Sequence, residues 1–170
     1  MIRILIASLM LLSAALIAHA ASQRPSANTQ GQVDFAGLQA LTGEVQAYRA
    51  GRLVSHEQFQ AMASEPKTII LDARSAAAYK QGHIAGAINL PLPDFTAQSL
   101  AAAIKDPNTR ILIYCNNNFA NNVAPVVLKR VQLALNIQTF INLYGYGYKN
   151  VYELGDVVNF DDPNVRWVRG

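Results

Sequence analysis

The chain has 170 residues, 51% of them hydrophobic, with 14 Lys and Arg against 11 Asp and Glu for a net charge of +3. That length fits one domain with a sizeable core once terminal segments are set aside. A charge so near neutral and so evenly spread argues against nucleic acid or an acidic membrane surface as a partner, and a lone cysteine, Cys115, leaves one unpaired thiol.

Residues 1–20, MIRILIASLMLLSAALIAHA, carry one positive charge at Arg3, an apolar core from Ile4 to Ile17 and small residues at Ala18 and Ala20. This is the pattern of a cleavable signal peptide, and the apolar run is shorter than the roughly 20 residues that span a bilayer. The expected mature chain starts near Ala21, is periplasmic or secreted and has no membrane anchor. Losing Arg3 leaves 13 basic against 11 acidic residues, a charge of +2. Residues 21–32 are rich in Ser, Asn, Gln and Pro and read as a flexible tail. Over residues 33–52, Phe35, Leu38, Leu41, Val45 and Tyr48 recur at spacings of three and four, which predicts a helical extension with one buried face that stops near Gly51. Ser55 followed by Gln58 predicts a capping box and a second, short helix.

TIILDAR and RILIYC are short, continuous apolar runs ending in polar residues. Between them lie helical segments at Ser75 to Lys80 and Asp94 to Ile104, with the Gly-bearing QGHIAGAINLPLP between those two. Strands of this kind separated by helices predict a buried parallel sheet in an α/β domain. Ligands of such sheets gather at the carboxyl ends of the strands. Asp72 and Cys115 both occupy such ends.

The segment after Cys115 holds five asparagines within residues 116–122. Proline is accommodated in a helix's first turn, so Pro125 predicts a helix that begins near Asn122 or Val123, after a long cysteine loop. Farther on, IQTFINL has strand character and YGYGY is turn-prone, which predicts an inserted segment at 137–149. Tyr144, Tyr146 and Tyr148 are candidates for a pocket mouth, a partner surface or core filling. The last ten residues, 161–170, form a tail with a turn at Asp161 to Asn164, and Trp167 is expected to pack on the domain.

LDARSAAAYKQGHIAGAINLPL, residues 71–92, resembles the signature of rhodanese-like domains: Asp-x-Arg at a strand end, an aromatic, Gly-His-Ile, then Gly-Ala-Ile-Asn-Leu-Pro. ILIYC stands where that family's cysteine-bearing strand stands, and NVYEL, residues 150–154, where its last strand stands. The resemblance covers Leu53 to Leu154 and places the domain at 53–160. It implies a central five-stranded parallel sheet with helices on both faces. It further implies that Cys115 is the nucleophile of a sulfurtransferase or persulfide carrier, moving sulfane sulfur from a donor to a thiol or protein acceptor, with no cofactor.

Chemistry supports a cysteine in that place. The thiolate is the reactive form, and a loop leading to a helix amino terminus offers unpaired N–H groups and a positive dipole end that stabilise it. The six-residue loop that starts at Cys115 continues through Asn116, Asn117, Asn118, Phe119 and Ala120, which are the candidate substrate-binding residues together with Arg74. No residue of that loop is charged, so a thiol or protein-bound donor is expected in place of thiosulfate. Arg74 either supplies the missing charge or pairs with a carboxylate. Asp72 and His83 are read as structural support. Phosphatase relatives of this fold carry an arginine six positions after the cysteine, where this chain has Asn121. His19, His56 and His83 show no metal-ligand spacing. The alternative function is a noncatalytic module that engages a protein partner through the Cys115 loop and the Tyr144–Tyr148 segment.

Overall fold

β2 (Thr68–Asp72) and β5 (Arg110–Tyr114) pair in parallel, Ile69 beside Ile111 and Leu71 beside Ile113, and form the centre of the sheet in this computed structural model. β4 (Ala87–Asn89) extends it on one side, and β6 (Val151–Leu154) followed by β1 (Leu53–Val54) on the other, giving the order β1-β6-β5-β2-β4. Every neighbouring pair is parallel. Residues 32–170 are described, and Phe35–Gly170 form the compact unit treated below. The expected signal peptide, and all but the last residue of the expected tail, lie outside the described residues.

The period-two alternation of a strand divides the apolar runs between two cores. Leu71, Ile111 and Ile113 face Val45 of α1 (Phe35–Ala50), Leu100 of α4 (Ala97–Ile104) and Phe140 of α5 (Leu135–Gly145). Ile70, Leu112 and Tyr114 face the other way, onto Phe59 of α2 (His56–Ala63), with Tyr79 of α3 (Ala76–Gln81) at the edge. Covered on both faces, the central strands can be apolar throughout, and each buried Leu or Ile contributes about 1.5–3 kcal/mol. The expected fold class, an α/β domain with a five-stranded parallel sheet and helices on both faces, is therefore the observed one.

Ser55 caps α2 in a full capping box with Gln58. The face of α1 is shorter than its spacing predicts. Val45 is buried and Leu41 and Tyr48 pack beside it, but Phe35 and Leu38 are 78% and 43% exposed. The helix packs from Leu41 onward, and Leu41 comes close to Gly145 of α5. At the other end of the chain, β7 (Trp167–Val168) pairs antiparallel with β3 (His83–Ile84), and Trp167 stacks on Phe160.

Two expectations are corrected after β5. No helix begins at Asn122 or Val123; apart from a 3-10 turn at Val131–Leu133 the chain is irregular until α5 starts at Leu135. Asparagine side chains give this backbone partners outside a helix. Asn116 Nδ2 donates to Val127 O (2.9 Å), Asn117 Nδ2 to Lys129 O (2.7 Å), and Asn122 Oδ1 accepts from Leu128 N–H (3.1 Å). The second correction concerns IQTFINL, which is helix, not strand. The buried stripe of α5 runs through Asn136, Thr139, Phe140 and Leu143. Two of those positions are polar, and this hides the helical period from a reading based on hydrophobicity. The expected segment at 137–149 is thus most of α5 and the turn that follows it.

Candidate active site

Cys115 is the first residue beyond β5 and keeps an extended backbone (φ −145°, ψ −177°). Asn116–Asn118 then turn as a single 3-10 unit, closed by Asn118 N–H to Cys115 O at 3.0 Å. The turn is fixed by the Asn118 side chain, whose hydrogen-bonding capacity is fully used. Its Oδ1 accepts from Cys115 N–H (2.9 Å) and Asn136 Nδ2 (3.0 Å), while its Nδ2 donates to Leu154 O (2.8 Å) and Asp156 O (3.1 Å). One amide therefore ties the end of β5 to the end of β6 and the start of α5.

This arrangement brings the first turn of α5 to the sulfur. Backbone N–H groups of Asn136, Asn117 and Leu135 interact favourably with Cys115 in its charged form. Leu135 and Asn136 open α5, where N–H groups have no partner within the helix. The amino-terminal cradle expected from the sequence exists, but it comes from a helix that starts 20 residues beyond the cysteine. Cys115 is only 1% exposed and lines a cavity of about 220 Å³ with Arg49, Asn117, Asn136 and Glu153. Burial pushes the thiol above its ordinary range; the three N–H groups oppose this, and the Glu153 carboxylate adds to it. The resting thiol is consequently protonated at neutral pH, which corrects the expectation of a thiolate held ionised by backbone dipoles.

Two charged residues of the cavity were not singled out from the sequence. Arg49, near the end of α1, grips Glu153 of β6 through Nε (2.5 Å) and Nη2 (2.6 Å), and Asn136 Nδ2 also reaches Glu153 Oε1 (3.2 Å). Glu153 holds Arg49 above its ordinary range, and the guanidinium responds to Cys115 as well. Nothing in the local sequence joins residues 104 positions apart. The one available signal was Glu153 itself, a carboxylate inside a buried parallel strand, which requires a partner.

The remaining candidates are distributed around this centre. Asn117 lines the Cys115 cavity and also a neighbouring one of about 310 Å³, where it meets Asn116, Arg74 and Lys129. Phe119, expected to bind substrate, is fully buried in the core, edge-on to Tyr114 and Trp167. Ala120 lies outside both cavities and donates its N–H to Val158 O (2.9 Å). Arg74 lines the neighbouring cavity and not the one at Cys115. Its buried guanidinium grips both oxygens of Asp72 and donates to Gly82 O (2.8 Å). Tyr114 Oη donates to the same carboxylate (2.6 Å) and accepts from Ile84 N–H (3.2 Å). His83 stacks on Tyr79 with ring centroids 3.7 Å apart. Asp72, Arg74 and Tyr114 thus form a brace under the sheet's carboxyl edge. No group of three or more His, Cys, Asp or Glu able to hold a metal occurs among the described residues, and no described helix is long and apolar enough to cross a membrane.

Several known proteins are similar to this chain. Thiosulfate sulfurtransferase PspE of Escherichia coli is 27% identical over 96 residues, which cover 56% of this chain and 77% of that protein. Among solved structures, a rhodanese with anions from E. coli aligns over 61% of this chain and 99% of its own, at 25% identity and a TM-score of 0.41. A thiosulfate sulfurtransferase from Pseudomonas aeruginosa aligns over 70% of this chain and 20% of its own, at 23% identity and a TM-score of 0.45. The rhodanese-like domain family matches residues 55–158, more than half of the sequence, and the chain belongs to that family.

Proposed function

We propose that this protein is an exported sulfurtransferase or persulfide carrier with Cys115 as its nucleophile. The observation that carries the reading is the convergence of three backbone N–H groups on the Cys115 sulfur at the wall of a cavity. In the first half-reaction the Cys115 thiolate attacks the outer sulfur of a donor persulfide. An Sγ–S bond forms, the donor's S–S bond breaks, and the donor leaves as a thiolate. In the second, an acceptor thiolate attacks the outer sulfur of the Cys115 persulfide and releases the Cys115 thiolate. Both anionic states of Cys115 are stabilised by the same N–H groups. Residues 1–20 supply the export signal in this reading, and fractionation with amino-terminal sequencing of the mature protein tests it.

Intact mass after exposure to low-molecular-weight thiol persulfides, compared with Cys115→Ser, tests the chemistry. The expected result is one added sulfur atom on the wild-type chain, removed by a thiol acceptor and never gained by the variant. No added sulfur with any donor would leave the second reading, a noncatalytic partner-binding module. That reading draws on Val123, Val127, Leu128, Val131 and Leu133, all exposed on the loop beside the cavity. The tyrosine segment lends it less: Tyr148 is in the core and Tyr144 packs edge-on against Tyr48, which leaves Tyr146 exposed.

A further inference from the structure

The cavity contains a cation, but one already engaged. Arg49 presents two N–H donors to the two oxygens of Glu153, and this fork geometry is the strongest form of such a pair. Glu153 is buried at the end of β6 and also bonded by Asn136, so the carboxylate is held in place beside Cys115. The pair sums to zero charge. The rest of the cavity wall is uncharged: the amides Asn117, Asn118 and Asn136, and small or apolar residues such as Leu53, Val131 and Ile137. A small dianion entering this space meets no net positive charge and a carboxylate within range of the sulfur it must approach.

We propose that Glu153 is a specificity-determining residue: by neutralising Arg49 it makes the Cys115 cavity discriminate against dianionic sulfur donors and accept sulfur carried on a thiol. The inference rests on the sulfur-transfer reading of Cys115 and adds the residue that selects the donor. For thiosulfate the disfavoured step is attack of the Cys115 thiolate on the outer sulfur, forming Sγ–S and breaking the S–S bond to release sulfite. The charge of the donor, and not the bond chemistry, decides the outcome. Glu153→Gln retains the shape and an acceptor for Arg49, and returns one unbalanced positive charge to the cavity.

The test compares thiosulfate, a dianion, with an alkyl persulfide, which carries at most one negative charge, as donors for wild type, Glu153→Gln, Arg49→Gln and the double variant. In Glu153→Gln the ratio of kcat/KM for thiosulfate to that for the persulfide is expected to rise at least about tenfold, as one full charge is uncovered in a partly desolvated site. The rise should vanish in the double variant. A parallel measurement, the pH dependence of Cys115 alkylation, should move to lower pH in Glu153→Gln and to higher pH in Arg49→Gln. These are the groups that face the thiol: Glu153 from β6, Arg49 from α1, and the amide ends of the loop and α5. An unchanged donor ratio in a folded Glu153→Gln protein, or a rise that survives loss of Arg49, overturns the proposal. If no donor loads wild-type Cys115, the sulfur-transfer reading fails by itself, and an unmoved alkylation profile then separately refutes the electrostatic role of Glu153.

Discussion

Asn118 gives the sharpest test of how the site is held together. Asn118→Ala removes four hydrogen bonds at once: those with Cys115 N–H, Asn136 Nδ2, Leu154 O and Asp156 O. Three of those partners are main-chain groups at or just beyond the ends of β5 and β6. At roughly 1 kcal/mol net for each bond, with more where a buried group is left without any partner, the expected loss is about 3–5 kcal/mol. Against a total of about 5–15 kcal/mol for a domain this is severe, and it corresponds to a melting temperature lower by roughly 10–20 °C. Asn118→Asp should be at least as damaging at neutral pH, because a carboxylate oxygen would then face the carbonyls of Leu154 and Asp156, and it should recover partly in acid. Urea denaturation followed by far-UV circular dichroism measures both. Asn142→Ala, which removes only a bond to Gln138 O on an exposed helix surface, should cost less than about 0.5 kcal/mol. An Asn118→Ala protein within about 1 kcal/mol of wild type would refute the idea that one amide joins β5, β6 and α5.

Alkaline pH should destabilise the fold. Burial raises Cys115 and raises Tyr114 well above its ordinary value, with Asp72 adding to the second. Unfolded Cys and Tyr lose their protons near pH 8.5 and 10, so stability is full below about pH 8.5 and falls above it, where only the unfolded state has released them. Urea midpoints from pH 7 to 11 check this, and Cys115→Ala should delay the onset toward the tyrosine range. Alkylation of Cys115 by iodoacetamide at pH 7 should be slower than that of a free cysteine and should accelerate on unfolding; mass spectrometry reads both. Gly82→Ala would set a Cβ 2.5 Å from the indole Nε1 of Trp167, so it should cost about 1–3 kcal/mol and change the tryptophan fluorescence.

The central sheet was legible because its strands obey local rules. TIILD and RILIY are continuous apolar runs, and the capping box at Ser55 is a local signal with a local cause. Cys115 could be placed for the same reason, by counting to the end of a strand. The surroundings of its sulfur were not legible, since they depend on contacts distant in sequence: Arg49 with Glu153, and the first amides of α5. That helix carries no side-chain cap at its start. Its buried face includes Asn136, whose amide serves the site, and Thr139, whose hydroxyl bonds back to Leu135 O. The asparagine run was readable as a polar turn, but its function as a set of clasps on residues 127–129 requires knowing where the loop returns.

The protonated thiol and its amide cradle belong to one electrostatic arrangement. Burial and Glu153 disfavour an anion at Cys115, while the three N–H groups favour it, and in the resting protein the first two prevail. The cost to reactivity is smaller than the lost thiolate suggests. Each tenfold fall in thiolate fraction is accompanied by about a threefold gain in the nucleophilicity of the thiolate that remains. In return the sulfur is protected, since oxidation follows thiolate character and exposure, and this sulfur has little of either at rest. An unpaired thiol in an oxidising compartment, as the export reading requires, survives only under such protection. Persulfide formation then changes the balance: a persulfide is a stronger acid than the thiol it replaces, so the loaded state is the one in which an anion occupies the cradle. On this argument the N–H groups serve the sulfur in transit more than the resting cysteine. The alkylation rate of Cys115 should therefore be far less sensitive to displacement of α5 than the lifetime of its persulfide.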